Sequence, residues 1–541
     1  NTVYVTSQFV HRTTQGGQSW DIISPDLTTN DKSRQVISGG LTPDNLGVEY
    51  CCVIYAFDES PLQQGVFWAG SNDGLVHVSR DGGETWNNVT ENIPGLPPLG
   101  TVRNIDASKW AAGKAYITVD FHQVGNFDPF VYRTEDYGEH WTRITGGISG
   151  SPLSYVRNIR EDPVRPGLLY LGTENALYVS FDDGENWQSL QTNLPPAPMY
   201  WIVVQEHFND LVVGTYGRGF WILDDITPLQ QLTTEVTASQ VHLFDPRPAY
   251  RFQPITAPMY MFNDQSAGKN PPYGASLNYW LAEKSDQEVK IRITDGAGET
   301  VRTLQGKNAA GINRVWWNRK GEPSTQARLR TRPLYAEWVS LGDKGWRKGA
   351  VDPISVLVPP GTYPVILEVG GKEYRSELEV LKDPNTEGTE EDILAQTALL
   401  LELREDAHAT AEMVNRIEWL RRQLLDLGAV IQGRDGLEDV RTAVRDVEEK
   451  LISVEGKLFQ LKVSGTGQDG VRWPARISGK LAHLEGSIAV ADYPPTDQHY
   501  EVHKLLRQKL KSAGEELDQV IKKDLSRFNR LLRKHKLDGI S

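Results

Sequence analysis

Six carboxylates in the first part of this chain have the widest chemical scope: Asp106, Asp120, Asp128, Glu161, Glu174 and Asp224. Two carboxyl groups facing across a cleft, ~5 to ~9.5 Å apart, are the arrangement that hydrolyses a glycosidic bond. Three arginines accompany them. Arg103 and Arg157 stand in matching Val-Arg-Asn-Ile tetrapeptides, and Arg218 reads as a third recurrence. Arginines converging on one point grip a substrate carboxylate through paired hydrogen bonds; as salt bridges between neighbouring repeats the same residues would be structural. Arg103, Arg157, Arg218 and Asp224 are therefore the expected ligand-facing residues. The spacing pairs no acid with a base, so the catalytic residues stay unassigned. His499 and His503 lie one helical turn apart, a spacing that can hold a metal. The intervening Glu501 is not where a zinc peptidase needs it, and no third ligand is in view, so neither a metal nor a cofactor is expected. The chain has no glycine-rich phosphate loop ending in Lys-Ser/Thr and no Gly-x-Ser-x-Gly elbow.

What must position these groups is a repeat. Ser79-Arg80-Asp81-Gly82-Gly83-Glu84-Thr85-Trp86 recurs as Thr134-Glu135-Asp136-Tyr137-Gly138-Glu139-His140-Trp141 and as Ser180-Phe181-Asp182-Asp183-Gly184-Glu185-Asn186-Trp187. A weaker copy, Thr13 to Trp20, carries Gln15 in place of Asp. In this pattern an Asp (Asp81, Asp136, Asp182) accepts backbone N–H groups of a tight turn. The Gly (Gly83, Gly138, Gly184) supplies a positive φ, and the Trp (Trp86, Trp141, Trp187) covers the hairpin. All nine are expected to be structural. The flanking strands repeat too: Val66–Ser71 aligns with Leu168–Thr173 and Asp210–Thr215, and Val102–Ile105 with Val156–Ile159. The segments around Cys51–Tyr55 and Trp201–Val204 fill the same slot. Sets of four short strands at a period of about 45–65 residues predict propeller blades, about four to five of them.

The motif resembles the Asp-box, or BNR, repeat of β-propeller proteins, which include sialidases, xyloglucanase-type glycosidases, sortilin-type receptors and photosystem-assembly-factor-like proteins. Leu169 to Gly184, followed by Gly214-Thr215-Tyr216-Gly217-Arg218-Gly219-Phe220-Trp221-Ile222-Leu223-Asp224-Asp225, is most similar to the large bacterial sortilin-like repeat proteins often labelled "glycosyl hydrolase". The resemblance implies a propeller larger than these blades and an extracytoplasmic location: secreted, periplasmic or at the cell surface. The chain opens inside a strand, Val3–Thr6, without an initiator Met or signal segment. It is expected to be the C-terminal part of a longer protein, with an upstream N-terminal propeller fragment of the same precursor as partner. A small closed propeller is the alternative.

Composition narrows the classes. At 541 residues the chain exceeds one core. With 39% apolar and 24% charged residues it is ordinary for a globular protein. A net charge of −14 argues against nucleic acid as partner. No apolar run approaches the ~20 residues of a membrane span. Cys51 and Cys52 are adjacent in an apolar run, where strand alternation would point them to opposite faces, so a disulfide between them is not expected.

After about Pro228 the period changes. Ser276–Leu281, Val289–Ile293 and Thr300–Leu304 alternate as half-buried strands, and Asp295-Gly296-Ala297-Gly298 reads as a hairpin turn. Gly311–Asn318 and Pro359–Leu367 resemble the Ig-like sandwich of flagellar hook-capping proteins and many secreted bacterial enzymes. From about Thr386, apolar residues at three- and four-residue spacing predict four helices. The first runs from Ile393 past Leu424 and stops at Gly428; the last is basic, opens after Pro495 with Thr496 or Asp497 as cap, and reads as a solvated bundle face.

The expected fold is mainly β: a partial propeller with Asp-box blades over 1–228, an Ig-like β-sandwich over 229–383, and a C-terminal α-helical bundle over 384–541. The expected function is that of a non-catalytic extracytoplasmic scaffold that binds protein or glycan or builds a surface assembly, with homo-oligomers compatible. The alternative is the C-terminal part of a sialidase- or xyloglucanase-like glycoside hydrolase acting on polysaccharide. A pair of carboxylates with shifted pKa values near the propeller axis would favour the alternative.

Overall fold

The computed structural model describes residues 2–36, 51–253, 268–349, 351–464 and 468–541. The chain divides into two compact units, Asn1–Thr233 and Thr234–Ser541.

The first unit is a series of antiparallel sheets in chain order. The first comprises β1 (Val3–Thr6), β2 (Val10–Thr13) and β3 (Asp21–Ile22). The second comprises β4 (Ile54–Glu59), β5 (Phe67–Ser71), β6 (Val76–Ser79) and β7 (Asn87–Asn88). The third is built from β8 (Thr101–Ala107), β9 (Ala115–Asp120), β10 (Phe130–Thr134) and β11 (Thr142–Arg143). The fourth has β12 (Val156–Glu161), β13 (Leu169–Thr173), β14 (Leu177–Ser180) and β15 (Gln188–Ser189), and the fifth β16 (Met199–Gln205), β17 (Asp210–Thr215) and β18 (Phe220–Leu223).

Each sheet opens with the strand that packs on its neighbours: β4 on β8, β8 on β12, and β12 on β16. Serial meanders packed through their first strands are the architecture of a β-propeller. Burial follows from it. β5, β9 and β13 are buried at every position, because a sheet lies on both sides, and they read as continuous apolar runs. β1 and β18, in the outermost sheets, alternate between exposed and half-buried residues.

In the second unit, one sheet has the order β19 (Val241–Leu243), β21 (Ala275–Leu281), β24 (Gly311–Trp317). A second runs β20 (Ala249–Tyr250), β28 (Lys372–Leu381), β27 (Gly361–Val369), β22 (Val289–Thr294), β23 (Thr300–Gln305). The two share a core that includes Leu277, Tyr279, Ile291, Trp317, Val365 and Leu378. The helical region comprises α3 (Glu390–Ile431), α4 (Glu438–Leu458), the short α5 (Asp469–Arg472), α6 (Ile477–Ile488), α7 (Asp497–Gln519) and α8 (Ser526–Lys534); the short α1 (Thr227–Gln231) closes the first unit and α2 (Thr234–Ala238) opens the second. Leu403, Ile417, Leu424, Val440, Leu451, Leu481, Leu510 and Leu532 belong to one helical core. Sheets and helices of this unit together make up Thr234–Ser541.

Two expectations are corrected. Gly428 does not stop α3, which runs on to Ile431. The left-handed glycine lies five positions later, at Gly433 (φ 77°); a glycine ends a helix only where the backbone takes that conformation. Cys51 and Cys52 are joined to each other. They precede β4, and Cys52 has φ 76°, so strand alternation does not apply to them.

Candidate functional site

The turn motif acts between sheets as well as within them. Its first hydroxyl accepts the glycine N–H in every copy: Ser79 Oγ from Gly83 N at 2.9 Å, Thr134 Oγ1 from Gly138 N at 3.0 Å, Ser180 Oγ from Gly184 N at 2.9 Å, and Thr13 Oγ1 from Gly17 N at 3.1 Å. The Asp closes the turn one step further on. Asp81, Asp136 and Asp182 each accept the N–H four residues ahead at 2.9 Å. A Cβ on Gly83 would lie 2.5 Å from Ile23 O, one on Gly138 3.0 Å from Val89, and one on Gly184 2.5 Å from Ile144. Those contacts follow the outer strand of the preceding sheet. Trp86 and Trp187 donate to the same places, Ile23 O at 3.0 Å and Ile144 O at 2.8 Å, whereas Trp141 donates to Gly138 O within its own turn. The turn thus staples each sheet to the one before it. Asp182→Ala is expected to cost about 1 kcal/mol, as removal of a helix cap does, measured by urea unfolding.

The inner strands share a second device. Each of β4, β8, β12 and β16 skips one residue in its register with the next strand: Tyr55, Arg103, Arg157 and Tyr200. A bulged residue is re-aimed out of the pleat, and these four form a row. Arg103 donates to Tyr55 OH at 2.7 Å and to Asp120 Oδ2 at 3.0 Å. Arg157 reaches the same Asp120 Oδ2 at 3.4 Å, holds Glu174 Oε2 at 2.7 and 2.9 Å, and lies 4.9 Å from the Tyr200 ring centroid. His122 bonds Asp120 through Nδ1 at 2.8 Å and stacks on Tyr155 at 4.7 Å. Burial, then the Glu174 carboxylate, pushes the Tyr155 phenol up to about 12. Asn104 and Asn158, next along the strands, accept from Ile159 N and Ile202 N of the following sheet. The Gly in the strand repeats has a steric cause as well: a Cβ on Gly70 would lie 2.4 Å from Val102, and one on Gly172 2.5 Å from Met199 O.

Arg103 and Arg157 therefore occupy one equivalent position, but Arg218 does not. It is exposed between β17 and β18, bonded to Gly217 O, and Tyr200 takes its place in the row. Alignment by residue type misplaced it, because the equivalence lies in the bulge. Asp224 follows β18, half-buried and away from the row, and Asp128 is exposed between β9 and β10. Tyr55, Tyr200 and His122 were missed; nothing in linear spacing marks a bulge, although the aligned inner strands contain it.

A second group of carboxyls lines a cleft of about 300 Å³ with Arg160, Lys109 and Glu206. Burial pushes Asp58 up to about 6, with the Asp106 charge adding to it. Burial also raises Asp106 and Glu161. Their oxygens are engaged: Asp58 accepts from Ala107 N at 2.8 Å and Glu59 N at 3.1 Å, Asp106 from Glu161 N and Arg160 at 2.7 Å, and Glu161 from Ser108, Tyr116 and Gly167. A carboxyl whose folded pKa is raised contributes stability below its unfolded value, here 3.8, and loses it as pH rises through about 6. Wild type is therefore expected to lose on the order of 2 kcal/mol relative to Asp58→Asn between pH 4 and pH 7, measured by urea titrations of both proteins.

The histidine pair is committed to the helices. His499 completes the capping box of α7 with Thr496, which is the cap, and buried His503 bonds Asp406 at 2.8 Å.

No family model matches the chain, and no curated relative matches it. Among solved structures it is similar to the GH74 xyloglucanase from Xanthomonas campestris, with 15% identity over 46% of this chain and 39% of that one, at a TM-score of 0.32. It is also similar to an ancestral GH74 enzyme (14% identity, 70% of this chain, 44% of that one, TM-score 0.32) and to YCF48 from Cyanidioschyzon merolae (14%, 61%, 84%, TM-score 0.24). The chain spans less than half the length of those two GH74 enzymes.

Proposed function

We propose that the first unit is a section of an Asp-box (BNR) propeller of the sortilin-like kind, acting outside the cytoplasm by binding and assembly rather than by catalysis. The observation that carries this reading is the pair of apolar end faces. At one end Val3, Val5 and Ile22 are 51%, 50% and 60% exposed. At the other, Trp201, Val203, Phe220 and Ile222 are 51%, 43%, 83% and 58% exposed. Trp201 pairs through Gly214 to Phe220, and Val203 through Val212 to Ile222, so one face of the fifth sheet carries them all. Interior sheets bury the equivalent faces against a neighbour, so a further blade fits at each end. The occupant is the upstream propeller fragment of the same precursor. In the closed ring the Tyr55–Arg103–Arg157–Tyr200 row meets a glycan or protein segment. The Ig-like sandwich and helical bundle of the second unit serve as a spacer. The joined Cys51 and Cys52 accord with an oxidising compartment.

Native mass spectrometry of the protein from its own source tests this. A stoichiometric companion chain is expected, released by the Phe220→Glu/Ile222→Glu double variant. A dimer of this chain would replace the fragment by a second copy, and a lone monomer would overturn the reading.

The raised carboxyls of the Asp58 cleft favour a second reading, a glycoside hydrolase. If it holds, Asp58→Asn and Asp106→Asn abolish release of reducing ends from xyloglucan or sialosides. If neither variant changes that release, or there is none, it fails.

A further inference from the structure

One cluster of donor atoms belongs to neither the tyrosine–arginine row nor the carboxyl cleft. Cys51, Cys52 and Asp73 each place a ligand atom within 4.8 Å of the other two. Cys52 and Asp73 are buried, at 3% and 4% exposure. Thr29 occupies one oxygen of Asp73, donating to Oδ2 through N at 2.8 Å and Oγ1 at 2.6 Å. The other, Oδ1, is buried and has no hydrogen-bond partner among the described residues. A buried carboxylate oxygen without a donor is costly, and a cation is the group that would satisfy it. The turn is held from behind: Asn72 Oδ1 accepts from Cys52 N at 2.9 Å and Val53 N at 3.0 Å. With Cys52 at φ 76°, this puts both sulfurs on one side of the chain.

We propose that Cys51, Cys52 and Asp73 form a binding site for a thiophilic divalent cation of the zinc class, opened by reduction of the Cys51–Cys52 bond. A dithiol reductant supplies two electrons and two protons. The protein S–S bond breaks, two protein thiols form, and the reductant leaves as its cyclic disulfide. The metal ion then displaces the thiol protons and takes two thiolates and one carboxylate. Tetrahedral zinc with Zn–S of about 2.3 Å sets its sulfurs about 3.8 Å apart, so the two move apart once the bond between them is broken. The fourth position stays open to water. Because binding releases protons, affinity rises with pH. From the sequence alone no metal site was expected: Asp73 lies 21 residues beyond Cys52, and only the fold of the second sheet brings it to the sulfurs.

The test is zinc titration of the full chain, oxidised and dithiol-reduced, with bound metal read by native mass spectrometry after the reductant is removed. One equivalent is expected in the reduced protein and none in the oxidised. Cys51→Ser/Cys52→Ser abolishes it. Asp73→Asn weakens it more than the roughly 10–100-fold typical of losing an outer partner of a metal ligand. Cobalt added to reduced wild type gives a thiolate-to-metal charge-transfer band, a readout that needs no variant to fold. Zinc uptake that ignores reduction, uptake that survives the double serine variant, or reduced wild type that takes up neither zinc nor cobalt overturns the proposal.

Discussion

Asp492→Ala is expected to destabilise the second unit by about 3–5 kcal/mol, the cost of stranding one partner of a buried ion pair. The stranded group is Arg251, which is 1% exposed against 3% for Asp492. Its Nη1 pairs with Asp492 Oδ1, its Nη2 donates to Gln396 Oε1 at 3.2 Å, and its Nε donates to Val358 O at 3.0 Å. Gln396 in turn donates to Ile488 O at 2.9 Å. One guanidinium thus ties the end of β20, the segment before β27, α3 and the residues after α6. Arginine cannot shed its charge once the carboxylate is gone. Asp492→Asn keeps an acceptor and is expected to recover part of the loss. Urea unfolding of the three proteins checks this, and a loss under ~1 kcal/mol for the alanine variant would place the pair among contacts of little weight.

Arg421→Met carries the second large effect, also about 3–5 kcal/mol. Arg421 is 3% exposed between Glu418 and Glu455, at 2% and 0%. It donates to Glu418 Oε1 at 3.0 Å and Glu455 Oε2 at 2.7 Å. Glu418 also accepts from Thr331 N at 2.6 Å and Thr331 Oγ1 at 2.7 Å, which fastens the loop after β25 (Arg328–Leu329) to α3. Burial, then the Glu418 charge, holds the Glu455 carboxyl well above the usual range, which favours its protonated form. Glu455→Gln is therefore expected to change stability by less than ~1 kcal/mol, while Arg421→Met leaves Glu418 without its counter-charge. Arg421→Met/Glu418→Gln should recover much of the loss. Thermal and urea unfolding distinguish these outcomes, and equal costs for Glu455→Gln and Arg421→Met would show that the charges are not paired as described.

Both networks lay outside the reach of sequence reading. Glu418, Arg421 and Glu455 sit on helices whose apolar periodicity was plain. Yet a charged residue on a buried stripe reads as surface until its partner is known. Arg251 and Asp492 are 241 residues apart, and no local pattern couples them. The converse holds for the turns. Ser79, Asp81 and Gly83 satisfy one another within five residues, so their spacing alone announced the geometry.

The sequence by itself determined the elements whose causes are local: the Ser/Thr-x-Asp-x-Gly-x-x-Trp corners, the short apolar strands between them, the switch to helical spacing, and the Thr496 cap. Hydrogen bonds and side-chain periods over a few residues are complete in the linear chain. Tertiary structure alone decided which residues stand together: the Tyr55–Arg103–Arg157–Tyr200 row, the Asp58–Asp106 cleft, the Cys51–Cys52–Asp73 cluster and the open faces at Val3 and Phe220. A bulge, a burial or an exposed end face is a relation between sheets. Its energy arises only when segments far apart in sequence exclude the same water.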